Sequence, residues 1–282
     1  MSAKFLLSPA ELENLIDAGR CVVVDCRFDF ADPSKGRADW RSGHVRGAIY
    51  ANLDADLSSP IEPHTGRHPL PDPVRFARFL AAGGWSPGKI LVAYDEGPNA
   101  VASRLWWLMR YFGQPAALLD GGLAAWVASG RPLEGGESRP EAAVPVALEP
   151  CDSMVVDAAA IEAALGGSAM RILDARASQR FTGEVETLDS KAGHIPGAVN
   201  RPFGANLRLD GRFKDRDALR REYEQLLEGR HNADIVHSCG SGVTACHNLF
   251  AMEWAGLAGS RLYAGSWSEW IRDVRRPIQT GS

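Results

Sequence analysis

The sequence predicts an α/β protein of two tandem domains, each with a central parallel sheet and helices on both faces. The first observation is an internal repeat, in which four landmarks recur in the same order at an offset of 144 to 150 residues along a chain of 282 residues. The second is the alternation, within each copy, of short apolar runs with segments of helical period, which is typical of parallel sheets. The length also suits two domains of ordinary size.

The first copy opens with a predicted helix, because Ser8 is a good N-cap and Pro9 suits the first helical turn. The continuous apolar run over residues 21–24 predicts a strand that is covered on both faces. A glycine–histidine turn over residues 43–49 leads into another short strand. A further apolar run covers residues 90–94 and ends immediately before Asp95.

The second copy repeats these landmarks in order. A helix is predicted over residues 157–165, a strand over residues 171–173, and a second glycine–histidine turn over residues 193–199. Residues 265–270 match residues 121–126, since both segments place a small residue before a tryptophan-containing helical turn. Four matched landmarks in one order indicate a duplicated domain.

The domain boundaries follow from a change in composition. Residues 135–150 are rich in Gly, Pro and Glu and show no helical period, so we predict that they form a linker. The first domain is then expected over residues 1–134 and the second over residues 151–282. Asp95 in the first copy matches Cys239 in the second, and a carboxylate cannot carry a sulfane sulfur. Chemistry is therefore expected in the second domain, and the first is expected to be non-catalytic.

Cys239 stands on a glycine-rich turn between a predicted strand and a predicted helix. Successive N–H groups of such a turn converge on one point, and the following helix adds its positive end. These groups favour the thiolate, which is the reactive form of cysteine. The sequence therefore predicts that Cys239 is a nucleophile or a sulfur carrier.

The composition excludes several classes of function. The net charge of −4 implies no broad basic surface for nucleic acid. Five cysteines at irregular spacing do not form a disulfide framework and suit a reducing compartment. The N-terminus has neither the apolar core nor the cleavage site of a signal peptide, and no run is long enough for a membrane span. We expect a cytoplasmic protein, and the duplicated fold predicts a monomer.

The two copies resemble the rhodanese superfamily in its tandem-domain sulfurtransferase form, and the resemblance covers nearly the whole chain. Five motifs carry it: residues 25–27, 43–48, 174–176, 193–198 and the cysteine loop. The loop C-G-S-G-V-T-A over residues 239–245 resembles that of 3-mercaptopyruvate sulfurtransferases. Thiosulfate-preferring relatives carry Arg and Lys at the positions of Gly240 and Ser241.

The resemblance implies that Cys239 attacks the sulfur of a small-molecule donor and becomes a persulfide. A thiol, a thioredoxin-like protein or cyanide then accepts the outer sulfur. The loop N–H groups would hold that anionic sulfur, and Ser241 would take part in catalysis. The residues of this persulfide loop are Gly240, Ser241, Gly242, Val243 and Thr244. No cofactor is implied beyond the persulfide itself.

Donor binding is implied for two residues. Arg180 matches an arginine that grips the donor carboxylate in the family, where a bidentate pair is physically apt. The mercaptopyruvate branch has a second arginine nine residues later, but this chain has Asp189 there. Compensating cations could be Lys191 or, from the first domain, Arg104 or Arg110.

In mercaptopyruvate relatives the first-domain histidine lies near the donor, so the resemblance implies a substrate-binding role as one interpretation of His44. The alternative is a histidine that fixes its glycine turn by hydrogen bonds to the backbone. That alternative is favoured because the second copy carries His194 at the matching position. Arg27 and Arg176 also recur after Asp25 and Asp174, which indicates internal ion pairs.

The sequence bears on four alternative functions of the Cys239 region. Cys246 and the histidines near Cys239 lack the paired spacing of a zinc site, so no metal is expected. A cysteine phosphatase needs an arginine six residues after the cysteine, where this chain has Ala245. The remaining alternatives to a mercaptopyruvate donor are a thiosulfate:cyanide sulfurtransferase and a non-catalytic persulfide carrier, and Asp189 keeps the carrier open.

Overall fold

The computed structural model describes residues 5–281 and divides into two compact units. Unit 1 contains the chain up to residue 59 together with residues 70–151 and 209–213. Unit 2 contains residues 60–69, residues 152–208 and the chain from residue 214 onward. The first four residues, part of the stretch interpreted above as lacking a signal peptide, lie outside the described residues.

Unit 1 contains a five-stranded parallel sheet with the strand order β1-β5-β4-β2-β3. Its elements in chain order are β1 (Leu6–Leu7), α1 (Pro9–Asp17), β2 (Cys21–Asp25), α2 (Lys35–Ser42), β3 (Ile49–Tyr50), α3 (Pro73–Ala82), β4 (Ile90–Tyr94), α4 (Ala102–Tyr111), β5 (Ala116–Leu119) and α5 (Gly122–Ala128).

Local sequence explains how these elements begin and where they pack. The Ser8 hydroxyl accepts from the N–H of Glu11, and the Glu11 carboxylate accepts from the N–H of Ser8, which completes a capping box at the start of α1. Val23 packs in the core cluster formed with α1 and α5. Its neighbours on β2 point to the opposite face and are also buried, and α4 contacts β4 and β5.

Unit 2 contains a four-stranded parallel sheet with the order β7-β6-β8-β9. Its elements are α6 (Ala158–Ala164), β6 (Arg171–Asp174), α7 (Ser178–Thr182), β7 (Val199–Asn200), α8 (Arg216–Leu227), β8 (Ile235–Ser238), α9 (Ala245–Trp254), β9 (Arg261–Leu262) and α10 (Ser266–Trp270), with single 3₁₀ turns at Asp152–Met154, Phe203–Asn206 and Asn232–Asp234.

The predicted fold class is confirmed, since each unit has a parallel sheet and alternating helices. Residues 135–150, the predicted linker, form neither a helix nor a strand. Over residues 5–281, no helix is both long and apolar enough to cross a membrane.

Equivalent central strands position the site in each sheet. Asp25 at the end of β2 pairs with Tyr94 at the end of β4, and Asp174 at the end of β6 pairs with Ser238 at the end of β8. The residues that follow these strands therefore lie at the carboxyl edge of the sheet. That edge is where ligands bind in open α/β sheets.

The burial of β6 predicts the sensitivity of unit 2 to loss of core volume. Leu173 is fully buried in β6, so Leu173→Ala should lower the free energy of unfolding by about 2–5 kcal/mol. Urea denaturation measures this change. Val274→Ala is the control, because Val274 is 81% exposed and its loss should change stability by less than about 0.5 kcal/mol. Equal effects of the two substitutions would contradict this packing.

Candidate active site

The loop that begins at Cys239 follows β8 directly and ends where α9 begins at Ala245. Cys239 is buried, and its N–H donates to the hydroxyl of Ser266 at 3.0 Å. Its carbonyl accepts from the N–H of Trp267 at 3.0 Å, and the carbonyl of Gly240 accepts from the N–H of Ser268 at 2.9 Å. The first turn of α10 therefore holds the backbone on both sides of the sulfur in one position.

Gly242 lets the loop turn tightly into α9. Its φ of +75° lies in the left-handed region, and an added Cβ would lie 2.3 Å from the carbonyl oxygen of Ala264. Both the backbone conformation and the close approach therefore require glycine at this position. The glycine-rich character of the predicted persulfide loop has a steric cause.

The matching loop of unit 1 shows what its N–H groups bind. Asp95 is anchored as Cys239 is, since its carbonyl accepts from Leu123 N–H at the start of α5. The Asp95 carboxylate accepts from the N–H groups of Gly97, Asn99, Val101 and Ala102 at 3.2, 2.8, 2.9 and 3.4 Å respectively. A buried anion thus fills the ring of amides in the first repeat.

The contacts of Asp95 indicate that a loop of this kind prefers to bind an anionic group. Burial raises the pKa of Asp95 above its ordinary value, and the backbone hydrogen bonds oppose that rise by stabilising the charged form. A carboxylate oxygen is two bonds beyond Cβ, and so is the outer sulfur of a cysteine persulfide. The same loop in unit 2 can therefore hold a persulfide anion on Cys239 with its N–H groups.

Ser241 forms a buried pair with a residue that the sequence analysis did not identify. His68 Nδ1 lies 2.7 Å from Ser241 Oγ, and the side that donates depends on the tautomer of the imidazole. The two residues are 5% and 4% exposed, so little water competes for the contact. The pair places a hydroxyl that is hydrogen-bonded to an imidazole two residues after the candidate nucleophile.

Arg180 lies beside the same loop, as the sequence analysis expects for a donor-binding residue. A Cβ added to Gly240 would lie 3.6 Å from Arg180 Nη1. The Nε and Nη2 atoms of Arg180 donate to the carboxylate of Glu186 at 2.8 to 3.2 Å, and Nη2 also donates to Asp189 at 3.0 Å. One guanidinium is thereby fixed by two carboxylates.

Asp189 does not stand as an uncompensated negative charge. It bridges Arg180 and Arg67, and it forms a short ion pair with the latter. Burial raises the pKa of Asp189, the two guanidinium groups oppose that rise, and Glu186 adds to it. Arg67 lies in the segment of residues 60–69 that belongs to unit 2, and its Nη2 atom is 3.0 Å from the Cβ position of Gly240.

Arg67 is therefore a compensating cation for Asp189, and it is not one of the three residues expected in that role. Lys191 uses its carbonyl to accept from the indole N–H of Trp267 at 2.8 Å. Arg104 and Arg110 lie on α4 of unit 1. The expectation named no residue between positions 60 and 69, because that segment has no periodic pattern.

His44 belongs to unit 1 and has both ring nitrogens occupied. Nδ1 contacts the carbonyl of Trp40 at 2.7 Å, Nε2 contacts Ser138 Oγ at 2.9 Å, and the ring stacks on Trp40. His194 makes the matching contacts in unit 2, with Nδ1 2.8 Å from the carbonyl of Phe181 and its ring stacked on that residue. These contacts fit the turn-fixing role that was the alternative to substrate binding.

The arginines that recur in both copies form the predicted internal ion pairs. Arg27 binds the carboxylate of Asp25 and the carbonyl of Gly43. Arg176 binds the carboxylate of Asp174 and the carbonyl of Gly193 in the same way. Each pair joins the end of a central strand to the glycine–histidine turn, and the prediction is confirmed.

Other cysteines and histidines near the loop have structural surroundings. Cys246 is buried with its sulfur 3.3 Å from the carbonyl of Gly242. Burial lowers the pKa of His237 to about 3. Within residues 5–281, no group of three or more metal-ligating side chains is assembled.

Two segments of the chain match a known family of protein domains. The profile described as the rhodanese-like domain matches residues 8–129 and again residues 157–273. The chain belongs to the rhodanese family. The two matches confirm the predicted tandem arrangement of rhodanese-like domains.

Three relatives illustrate the similarity. A Pseudomonas aeruginosa protein named as a probable 3-mercaptopyruvate sulfurtransferase is 48% identical, over 100% of both chains. The Mycobacterium tuberculosis protein SseB, named as a candidate thiosulfate sulfurtransferase, is 35% identical over 98% of this chain and 97% of its own. The structure of 3-mercaptopyruvate sulfurtransferase from Leishmania major has a TM-score of 0.86 and 31% identity, over 99% of this chain and 77% of that one. The predicted sulfurtransferase class is confirmed at the level of the family.

The conformation of Gly242 yields a test of the loop. Gly242→Ala should destabilise the protein more than Gly197→Ala, because both positions have a left-handed φ but only Gly242 meets a carbonyl oxygen. The shared backbone strain should cost about 1–2 kcal/mol in each variant, and the close approach adds to it at position 242. Thermal and urea denaturation of both variants measure the difference. Equal losses of stability would contradict the steric argument.

Proposed function

We propose that the protein is a sulfurtransferase that moves a sulfane sulfur from 3-mercaptopyruvate, through a persulfide on Cys239, to a thiol or cyanide. The observation that carries the proposal is the pair of matched loops. The loop of unit 1 binds the Asp95 carboxylate with four N–H groups, and the loop of unit 2 presents Cys239 at the equivalent position. A persulfide anion suits such a ring of donors.

In the first half-reaction, the Cys239 thiolate attacks the sulfur of the donor. The new S–S bond forms as the C–S bond of the donor breaks, and its electron pair remains on carbon as the enolate of pyruvate. The proton of the donor thiol ends on that carbon, so the products are pyruvate and the ionised persulfide. Ser241 and His68 form a hydrogen-bonded pair that can carry this proton.

In the second half-reaction, the anionic acceptor attacks the outer sulfur. The S–S bond breaks, its electron pair returns to Cys239 as a thiolate, and the acceptor leaves as thiocyanate or as a new persulfide. The loop N–H groups stabilise the negative charge on the cysteine in both states. No further cofactor enters this scheme, and the acceptor in the cell would be a small thiol or a thioredoxin-like protein. We retain the expectation of a monomeric, cytoplasmic protein without a metal, nucleic-acid or membrane partner.

The surroundings of Cys239 support a keto-acid donor. Gly240 and Ser241 leave the loop uncharged, whereas a dianion such as thiosulfate would gain from cations at those positions. Arg180 supports a small anionic donor, because its guanidinium lies against Gly240. A persulfide carrier that turns over no small donor would have no use for this guanidinium.

Steady-state kinetics of the purified protein test the proposal. With cyanide as the acceptor, kcat/KM for 3-mercaptopyruvate should exceed that for thiosulfate at least about tenfold, a difference of about 1.4 kcal/mol in transition-state binding. Cys239→Ser should abolish turnover of both donors, and Cys246→Ser should retain it. Preference for thiosulfate would reassign the donor. Turnover of neither donor, with Cys239 still accepting sulfur from a desulfurase, would favour a carrier.

The Ser241–His68 pair generates a separate prediction. Ser241→Ala and His68→Gln should each lower kcat by about 10²–10⁴, the usual range for loss of general acid–base catalysis. The double variant should lose little more than either single variant, because the two residues act as one unit. Additive losses, or single losses below about threefold, would contradict a shared role in proton transfer.

A further inference from the structure

Two guanidinium groups converge on the loop beside Cys239. A Cβ added to Gly240 would lie 3.0 Å from Arg67 Nη2 and 3.6 Å from Arg180 Nη1. We infer that Arg67 and Arg180 together bind the carboxylate of the sulfur donor, and that Arg67 is a specificity-determining residue. The inference rests on the proposed function and extends it to a residue in the segment of positions 60–69.

The hydrogen bonds of the two arginines leave one terminal nitrogen of each guanidinium available to bind a donor carboxylate. Arg67 uses Nη1 for Asp189, and Arg180 uses Nε and Nη2 for Glu186 and Asp189. In the described part of the chain, no group accepts a hydrogen bond from Arg67 Nη2 or from Arg180 Nη1. On each arginine, this nitrogen is also the atom nearest to the Cβ position of Gly240.

Asp189 fixes the distance between the two guanidinium groups. Its side chain is 3% exposed, and its two oxygens bind one arginine each. The backbone of Arg67 is fixed as well, since its N–H donates to Ser268 Oγ at 3.0 Å and Ser268 in turn binds the carbonyl of Gly240 through its own N–H. Arg67 is therefore tied to the loop before any donor binds, which reduces the entropy lost on binding.

The charge of the cluster favours one class of donor. Arg67 and Arg180 are balanced by Glu186 and Asp189, so the site attracts a donor through directed N–H groups more than through net charge. A planar carboxylate can accept from two guanidinium groups at once. A dianion gains less here, because the two nearby carboxylates repel its second charge.

The geometry also explains the acidic residue at position 189. The resemblance places a donor-binding arginine at this position in mercaptopyruvate relatives, and here the acid is paired with an arginine from a distant part of the sequence. Arg67 thus supplies a positive charge at the loop, and Asp189 anchors it by an ion pair.

The test compares three variants of the full chain: Arg67→Gln, Asp189→Asn, and the double exchange Arg67→Asp with Asp189→Arg. Arg67→Gln should raise KM for 3-mercaptopyruvate about 10- to 100-fold while kcat changes less than about threefold, because a charged hydrogen bond to the donor is lost. Asp189→Asn should raise KM less. The double exchange should restore KM to within about fivefold of the natural chain, because it returns an arginine to the cluster.

Two controls separate donor binding from structure. Arg275→Gln removes an exposed arginine that pairs with Asp273, and it should leave KM unchanged. The release of sulfur to cyanide from protein that has been loaded with inorganic polysulfide does not involve a donor carboxylate. Its rate should therefore be the same in Arg67→Gln as in the natural chain.

The outcomes distinguish this inference from the proposed function. A KM within twofold of the natural value in Arg67→Gln, or a double exchange no better than Arg67→Gln, would overturn the role of Arg67. If the natural chain takes no sulfur from 3-mercaptopyruvate, the proposed function fails. Calorimetric binding of pyruvate then still decides the inference, since Arg67→Gln should weaken it at least about tenfold and equal binding would reject the clamp.

Discussion

The interaction on which the proposed chemistry depends is the binding of a buried side-chain carboxylate by four backbone N–H groups of one loop. In unit 1, the loop binds the carboxylate of Asp95 and is permanently satisfied by its own chain. In unit 2, Cys239 follows the equivalent strand, and the proposed function places a thiolate or persulfide where unit 1 has the carboxylate. The two loops follow equivalent strands, but their sequences differ, and only the loop of unit 2 begins with a residue that can carry sulfur.

The rest of each repeat keeps that loop in place. The first turn of the helix after the last strand, α5 in unit 1 and α10 in unit 2, binds the loop carbonyls. The Asp–Arg pairs tie the neighbouring strand to the glycine–histidine turn. The contacts of the first kind are backbone hydrogen bonds, and the Asp–Arg pairs are buried and charge-assisted; together they hold the loop in place. In unit 2, Ser241 and His68 form a hydrogen-bonded pair, and Arg67 and Arg180 lie beside Gly240.

Sequence patterns predict the parts of this structure that are local. The capping signal at Ser8, the apolar run of β2 and the turn at Gly242 depend on nearby residues, and the repeat transfers the first helix and the first central strand to the second copy. His68 and Arg67 could not be predicted in this way, because their partners lie 173 and 122 residues away and their segment has no period. Asp189 is the one sequence feature that points to Arg67. A buried acid in a site that binds an anionic donor requires a cation from elsewhere in the chain.

The most direct test of the central claim is mass spectrometry of the protein after a single turnover with 3-mercaptopyruvate and no acceptor. The account predicts one additional sulfur atom on the peptide that contains Cys239, one pyruvate released per chain, and loss of that sulfur as thiocyanate when cyanide is added. Sulfur on Cys246 or on another cysteine, or pyruvate released without modification of Cys239, would contradict it.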